Sequence, residues 1–265
     1  MLDTATYRAC PSCGSDAFTP WEKYSPEAWQ VVCCNSCRLT YLRNPVAYTA
    51  LEEDFAWEKT YVEKSARGGS TTLSPLIRRL RARLGLLHRS KTDSFRAWFH
   101  DGHVLDIGCG LGDRIVPPMT PYGIELSKGL QAEADTIMRK RGGYCLHGAG
   151  AEAIWAFSEG QFDGILMNSY LEHETDVMGV LKGAYRALKE TGAVYVRVPN
   201  FGSLNRRVIG ANWCGFRYPD HVNYFTLDTL KSTVARAGFT LELVNGKRLM
   251  LDDNIQALLR KQSAA

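Results

Sequence analysis

The chain has 265 residues, 45% of them apolar and 23% charged, a composition that excludes a disordered or fibrous protein. Residues 76–91 hold six basic residues and no acid; without them the chain has 26 basic and 28 acidic residues, so the net charge of +4 is local and disfavours a nucleic-acid binder. Neither a signal peptide nor an apolar run of membrane-spanning length is visible, which predicts a cytoplasmic protein with reduced cysteines.

Two C-x-x-C pairs near the N-terminus predict a metal site, with the thiols of Cys10, Cys13, Cys34 and Cys37 as ligands. Each short pair aims two sulfurs at one point, and two pairs complete the tetrahedral thiolate cage that Zn²⁺ prefers. Such a closed cage leaves no position for water, so the zinc is interpreted as structural. A redox pair or a disulfide is the alternative, and Cys33 competes with Cys34 as ligand, although the spacing to Cys37 favours Cys34.

A zinc-binding module over residues 1–45, called the N-terminal module below, follows from this pattern. Its few large apolar side chains make a metal-dependent fold the expectation. Residues 46–100 are predicted to form a linker. Within it, apolar residues recur at helical spacing from Leu73 to Leu87 with arginines between them, which predicts a basic amphipathic helix. Its basic face is either simply solvated or attracts an anionic substrate or a membrane surface.

Strands alternate with helices in the remaining part, residues 101–265. This alternation predicts an α/β fold with a mostly parallel sheet flanked by helices on both faces. A ligand is then expected outside the carboxyl ends of the first strands. The predicted strands are 104–107, 122–125, 144–147, 164–167 and 193–198, and the predicted helices are 127–140, 176–188 and 226–237.

A glycine-rich loop follows the first of these strands, in the sequence Asp106-Ile-Gly-Cys-Gly-Leu-Gly112. Glycines allow a tight turn and let a ligand approach the main chain closely. Glu125 stands at the tip of the second strand, where an acid accepts both hydroxyls of a ribose. The combination predicts a nucleotide-like ligand.

The stretch Val104-Leu-Asp-Ile-Gly-Cys-Gly-Leu-Gly112 resembles motif I of the Rossmann-like S-adenosylmethionine (SAM) methyltransferases, especially the subgroup with an N-terminal four-cysteine zinc module. Further matching stretches are Gly123-Ile-Glu-Leu-Ser127, Gln161-Phe-Asp163, Tyr170-Leu-Glu-His173, Leu188-Lys-Glu-Thr-Gly192, Val198-Pro-Asn200, Pro219-Asp-His221 and Phe225-Thr226. The resemblance covers nearly the whole chain and implies a Rossmann-like fold and a SAM-dependent methyltransferase.

The resemblance also implies a set of cofactor-binding residues. The glycine loop and Asn168 would meet the methionine part of SAM, and Glu125 would bind its ribose. Relatives often carry an acid after the third strand for the adenine; here Ala149 or Gly150 stands there, so the Ala151 backbone or Glu152 is expected instead. The full set is Asp106, Gly108, Cys109, Gly110, Gly112, Glu125, Leu126, Ser127, Ala151, Glu152 and Asn168.

The first crossover departs from the family pattern because Pro117, Pro118 and Pro121 fall within it. Proline removes helical donors, so a stub or loop is expected there, covered by the N-terminal segment or by a partner chain. An oligomer is compatible with the sequence.

Two histidines are the candidate general bases, His173 after the fourth strand and His221 after the fifth. The alternative for each is a hydrogen-bonded structural histidine, and Tyr170 and Tyr224 are weaker candidates. Glu172-His173 also resembles a stretch at which some ubiquinone-pathway O-methyltransferases bind Mg²⁺, but Ser169 stands at the position of their first acid, which disfavours a catalytic magnesium.

Residues 200–225 interrupt the alternation and are predicted to form a substrate lid, called the lid segment below. It carries Arg206, Arg207 and Arg217, which suit phosphate or carboxylate, and aromatic residues that could stack on a ring, namely Trp213, Phe216 and Tyr218. The leading hypothesis is methylation of a small-molecule or carrier-linked acceptor, a sugar or natural product, most simply at oxygen. The alternatives are an RNA base methyltransferase that grips RNA with its zinc module, and a non-catalytic scaffold.

Overall fold

A small antiparallel sheet organises the N-terminal module in the computed structural model, which describes residues 7–26, 28–46 and 91–262. Its first three strands are β1 (Phe18–Pro20), β2 (Val31–Cys34) and β3 (Thr40–Leu42). The basic amphipathic helix predicted for residues 73–87 lies outside the described residues.

The main sheet has seven strands in the order β10-β11-β8-β7-β4-β5-β6. β8, β7, β4, β5 and β6 run parallel, and β11 and β10 add an antiparallel edge. The predicted mostly parallel α/β fold is therefore confirmed. The strand bounds are β4 (His103–Ile107), β5 (Thr120–Glu125), β6 (Cys145–His147), β7 (Phe162–Asn168), β8 (Leu188–Pro199), β10 (Phe239–Leu243) and β11 (Asn254–Lys261).

Helices flank this sheet, and the three that were predicted begin at side-chain caps. Ser127, Asp176 and Thr226 each accept a hydrogen bond from a backbone N–H of the first turn, which satisfies a donor that the helix leaves unpaired. The helices are α1 (Lys91–Phe99), α2 (Lys128–Arg139), α3 (Gly150–Ala153), α4 (Val177–Ala187), α5 (Leu204–Ile209) and α6 (Leu227–Arg236).

The crossover between β4 and β5 contains no helix, as its prolines predict. Helix α1 covers this side of the sheet instead: Phe95 and Phe99 pack in one apolar cluster with Ile115 and Met119 of the crossover. Arg141 donates to the backbone carbonyls of both crossover residues. The coverage therefore comes from the chain segment that directly precedes the sheet.

Two features were not predicted from the sequence. The first is the antiparallel pair β10 and β11 at the sheet edge. The second is β9 (Asn223–Tyr224), which lies in the lid segment and pairs with β3, so that the lid segment completes the sheet of the N-terminal module. In the described part of the chain, no helix is both long and apolar enough to cross a membrane.

Candidate functional site

The glycine loop turns sharply at the carboxyl end of β4. Gly108, Gly110 and Gly112 have positive φ values of 71°, 59° and 76°, a backbone conformation that residues with a side chain rarely adopt. A Cβ on Gly112 would lie 2.9 Å from the Met138 side chain, so this glycine lets the loop pack on α2. A Cβ on Gly110 would meet no atom within 4 Å, which means that the loop faces open space there.

Glu125, at the end of β5, fixes the shape of the loop. Its Oε2 accepts a hydrogen bond from the backbone N–H of Gly110 at 2.8 Å, and its Oε1 accepts one from Ser127 at 3.0 Å. A carboxylate offers about four lone-pair positions. The two oxygens can therefore accept hydroxyl hydrogens of a ribose while they hold the loop.

Asp106 lies beneath the loop and is 1% exposed. Burial raises the pKa of its carboxyl to about 6, against the opposing effect of Arg114, whose guanidinium lies 2.9 Å from Oδ2. Arg114 also donates to the Gly108 carbonyl at 3.1 Å. This pair ties the base of the loop to the crossover, and the sequence reasoning did not single out Arg114.

A cavity of about 590 Å³ opens above the loop. Of the predicted cofactor-binding residues, Gly108, Cys109, Gly110, Glu125, Leu126 and Asn168 line it, whereas Asp106, Gly112, Ser127, Ala151 and Glu152 do not. After β6, the residues on its wall are Gly148, Ala149 and Gly150, which directly precede the two residues expected for the adenine, Ala151 and Glu152. Asn168 Oδ1 is buried without a hydrogen-bond partner, so this wall presents an unsatisfied acceptor to a ligand donor.

The lining of the same cavity also includes the two candidate bases. The rings of His173 and His221 meet edge to face with their centroids 4.7 Å apart. His173 Nδ1 lies 2.8 Å from the Asp220 carbonyl oxygen, and His221 Nδ1 lies 2.8 Å from that of Gly215. The structure thus brings together two histidines that are 48 positions apart in the sequence.

Glu172 lies beside this histidine pair and also lines the cavity. It is 1% exposed, its Oε2 has no hydrogen-bond partner, and burial raises the pKa of its carboxyl to about 8. Its carbonyl oxygen accepts from the backbone N–H groups of Val222 and Asn223 at 2.7 and 3.1 Å. These bonds fasten the post-β7 loop (residues 169–174) to the lid segment.

Most of the lid segment is packed into the protein. Trp213 is buried, and Phe216 and Tyr218 stack in one aromatic cluster with Tyr24 of the N-terminal module. Arg206 donates to the Phe201 carbonyl and lies over its ring, and Arg207 points to solvent. Among the three lid arginines, Arg217 lines the cavity. The expected aromatic stacking platform is therefore occupied by neighbouring rings.

Arg197 is a cavity residue that the sequence reasoning missed. It lies on β8, and its guanidinium donates to Ser169 Oγ at 2.8 Å. Its neighbours in the run Val194-Tyr-Val-Arg-Val198 are apolar or aromatic. A charge inside such a buried strand is costly without a partner. A single arginine in this apolar run was therefore the feature of the sequence that could have identified Arg197.

Arg8 connects the N-terminal module to the end of the post-β7 loop and to the lid segment. Its guanidinium donates to the carbonyl oxygens of Leu42, Thr175 and Val222 at 2.8 to 3.0 Å, and to Asn223 Oδ1 at 2.9 Å. The planar guanidinium suits such a fork of acceptors. The module, the residue that directly follows the post-β7 loop and the lid segment are therefore joined at one side chain.

The four predicted zinc ligands lie together. Their sulfurs are all within 4.8 Å of one another, with Cys10 Sγ 3.4 Å from Cys37 Sγ and Cys13 Sγ 3.6 Å from Cys34 Sγ. Zn–S bonds of about 2.3 Å in a tetrahedron place sulfurs about 3.8 Å apart, so the cluster fits the ion. Cys33 Sγ instead contacts the backbone carbonyls of Cys34 and Arg38, outside the cluster.

The thiol of Cys34 is poised for ionisation. Burial raises its pKa, but hydrogen bonds from the backbone N–H groups of Cys37 and Ser36 and from the thiols of Cys13 and Cys37 together lower the pKa to about 7. Thiolates are the form that binds zinc.

A family model described as a methyltransferase domain matches residues 72–244, more than half of the chain. The chain therefore belongs to the methyltransferase-domain family and is a SAM-dependent methyltransferase. A comparison with curated protein sequences finds no match.

Solved structures share this fold. A SAM-dependent methyltransferase of Thermotoga maritima, described as a possible histamine N-methyltransferase, is 22% identical, with a TM-score of 0.50 over 65% of this chain and 88% of the other. A Burkholderia thailandensis 1,6-didemethyltoxoflavin-N1-methyltransferase, with its substrate and S-adenosylhomocysteine bound, is 17% identical, with a TM-score of 0.53 over 92% and 99%. A SAM-dependent methyltransferase of Archaeoglobus fulgidus is 15% identical, with a TM-score of 0.51 over 77% and 99%.

Proposed function

We propose that this methyltransferase transfers a methyl group to a small-molecule or carrier-linked acceptor, a sugar or natural product, at an oxygen atom. One observation carries the proposal: a single cavity has the glycine loop and Glu125 on one wall and the histidine pair with Arg197 and Arg217 on the other. A cofactor on the first wall and an acceptor on the second would be in contact inside one enclosure.

On the cofactor wall, the glycine loop and Asn168 would hold the methionine part of SAM, and Glu125 would accept the ribose hydroxyls. Asp106 and Gly112 support the loop from below, and Ser127 caps α2 beside it. SAM supplies a methyl group activated on a sulfonium. The protein has to position the acceptor in line with that methyl and to remove the acceptor proton.

On the acceptor wall, His221 or His173 acts as the general base. A carbonyl oxygen only accepts hydrogen bonds, so each Nδ1 carries a hydrogen, and in the neutral form of the ring Nε2 carries the lone pair that takes a proton. A hydroxyl is the acceptor group that requires such a base. Arg197 and Arg217 give this wall positive charge, which favours an acceptor that carries a carboxylate or phosphate.

The four cysteines hold a structural Zn²⁺. The fold of the N-terminal module, which this ion stabilises, supports the acceptor wall through β9 and Arg8. We propose three parts for the chain: the N-terminal module over residues 1–45, a linker over 46–100, and a methyltransferase domain over 101–265 that includes the lid segment. The basic window and the enclosed cavity favour a small anionic acceptor over RNA, and a cytoplasmic location suits reduced zinc ligands.

Calorimetric titration with SAM tests the cofactor assignment. Glu125→Gln should weaken SAM binding by about 10-fold or more, because the neutral amide is a poorer partner for two hydroxyls. Glu133→Gln, at an exposed position of α2, is the matched control and should bind SAM like the wild type. Unchanged affinity in Glu125→Gln refutes the ribose assignment, and a wild-type protein that binds no SAM refutes the enzyme in favour of a scaffold.

Filter binding of RNA over a salt series tests the macromolecular alternative. We expect weak binding, whereas tight binding with a steep salt dependence would favour an RNA base as the acceptor.

A further inference from the structure

We propose that Glu172, His173 and His221 form a second metal site, for a divalent transition-metal cation of the Zn²⁺ or Co²⁺ type. One ligand atom from each side chain lies within 4.8 Å of the other two. Among the described residues, this group and the four cysteines are the two sets with such spacing. The three side chains line the cavity of the proposed acceptor wall.

The orientation of the two imidazoles supports this assignment. Each Nδ1 lies 2.8 Å from a backbone carbonyl oxygen, of Asp220 for His173 and of Gly215 for His221. Metal-binding histidines are commonly held in this way, because a carbonyl acceptor fixes the hydrogen on one nitrogen and directs the lone pair of the other to the metal. Both rings therefore carry their ligand lone pairs on Nε2.

Glu172 supplies an independent observation. Its side chain is 1% exposed, and its Oε2 is buried without a hydrogen-bond partner. Arg197 and Arg217 line the same cavity, yet neither donates a hydrogen bond to this oxygen. A buried polar atom without a partner requires an explanation. A cation held jointly with the two imidazoles supplies the partner that this oxygen lacks.

The donor set selects the class of cation. Two imidazole nitrogens and one carboxylate suit zinc, cobalt or iron, whereas Mg²⁺ and Ca²⁺ prefer sites made of oxygen ligands. The ligands come from two segments that are already fastened together, since Val222 N–H donates to the Glu172 carbonyl at 2.7 Å.

Cation binding and base catalysis exclude each other, because both use the Nε2 lone pairs. A cation in this site therefore removes the two imidazoles from base catalysis. This consequence depends on the proposed function, whereas cation binding itself does not.

Titration of the zinc-loaded protein with Co²⁺, followed by visible absorption, tests the site. The four-cysteine cluster keeps its zinc, so we expect a further single equivalent of Co²⁺ with weak ligand-field bands and no thiolate charge-transfer band. Glu172→Gln, His173→Gln and His221→Gln should each weaken this binding by at least about 10-fold. His103→Gln is the matched control, since His103 is exposed at the start of β4 and should leave the titration unchanged.

Absence of a nitrogen-and-oxygen cobalt spectrum in the folded wild type overturns the proposal, as does binding that the three variants leave intact. Circular dichroism and the SAM affinity of each variant show whether it is folded. If Glu172→Gln fails to fold, the histidine variants decide. SAM calorimetry on the same preparation separates the two proposals: a protein that binds Co²⁺ but not SAM refutes the proposed function alone, and one that binds SAM but not Co²⁺ refutes the metal site alone.

Discussion

The two walls of the cavity are built in different ways. The cofactor wall is formed largely by one short stretch of chain, residues 106–127, in which the loop, its buried acid and Glu125 follow one another. The acceptor wall is assembled from β8, the post-β7 loop and the lid segment, and it is braced by the N-terminal module through β9 and Arg8. A wall built from one stretch of chain and a wall assembled from several segments can change independently of each other.

Removing the zinc should separate the two walls with the largest effect. Cys34→Ser should lose the metal and unfold the N-terminal module, because structural zinc contributes on the order of 10 kcal/mol to the folding of small modules. Zinc content and thermal melting measure this loss, and SAM binding at low temperature should persist. Cys33→Ser, outside the cluster, is the control and should keep its zinc. A zinc-free protein that melts like the wild type would contradict a structural role.

Replacing the base should affect the acceptor wall alone. Whichever of His221→Gln and His173→Gln removes the general base should lower kcat by about 10² to 10⁴-fold, with SAM affinity unchanged. Turnover of a methylated acceptor and SAM calorimetry provide the two measurements. His147→Gln, at an exposed position, should retain full turnover. If both histidine variants turn over normally, the proton leaves by another route.

The cofactor wall carries a pH-dependent cost in its buried acid. Burial raises the pKa of Asp106 to about 6 from 3.8, so its carboxyl binds a proton more tightly in the folded than in the unfolded chain. Stability contributed in this way is present below pH 4 and is lost as the pH rises through 6. Relative to Asp106→Asn, the wild type should lose up to about 3 kcal/mol of unfolding free energy over this window. Urea melts of both proteins across this pH range measure it, and parallel pH profiles would contradict the shift.

The contact by which Arg8 braces the acceptor wall against the N-terminal module should give the smallest effect. Arg8→Lys retains the charge but cannot reach four acceptors with one planar group, so we expect a loss of about 2 kcal/mol in stability. Turnover should fall while SAM affinity stays constant. Arg207→Lys, on the exposed surface, serves as the control. Equal losses of SAM binding and turnover would show that the walls are not independent.

The difference between the walls also explains what the sequence could predict. The glycine loop, Glu125 and the starts of the helices predicted from 127, 176 and 226 are local signals, and the structure has them at the predicted places. The grouping of the four cysteines was equally predictable, because ligand spacing is a local property of the sequence. The proximity of their thiols in the structure confirms that they converge.

The acceptor wall was harder to predict from the sequence because its contacts join distant segments. The pairing of β3 with β9 joins Thr40 to Tyr224, and no local pattern in two residues of a lid predicts a strand. The aromatic lid residues were expected to face a substrate, but their partner Tyr24 lies almost 200 positions earlier in the chain. The role of Arg197 could not be predicted, because it depends on which face of the strand the fold turns toward the cavity.

The pairing of β3 with β9 also determines how late in translation the sheet of the N-terminal module can be completed. The edge of β3 is made early, whereas its partner strand follows about 180 residues later. At translation rates of about 5 to 20 residues per second, this edge stays open for roughly 10 to 40 s on the ribosome. An open strand edge is a template for pairing with other chains. The growth temperature and the supply of chaperones should therefore determine the yield of soluble protein. An isolated N-terminal module should aggregate unless a strand like β9 is fused to it.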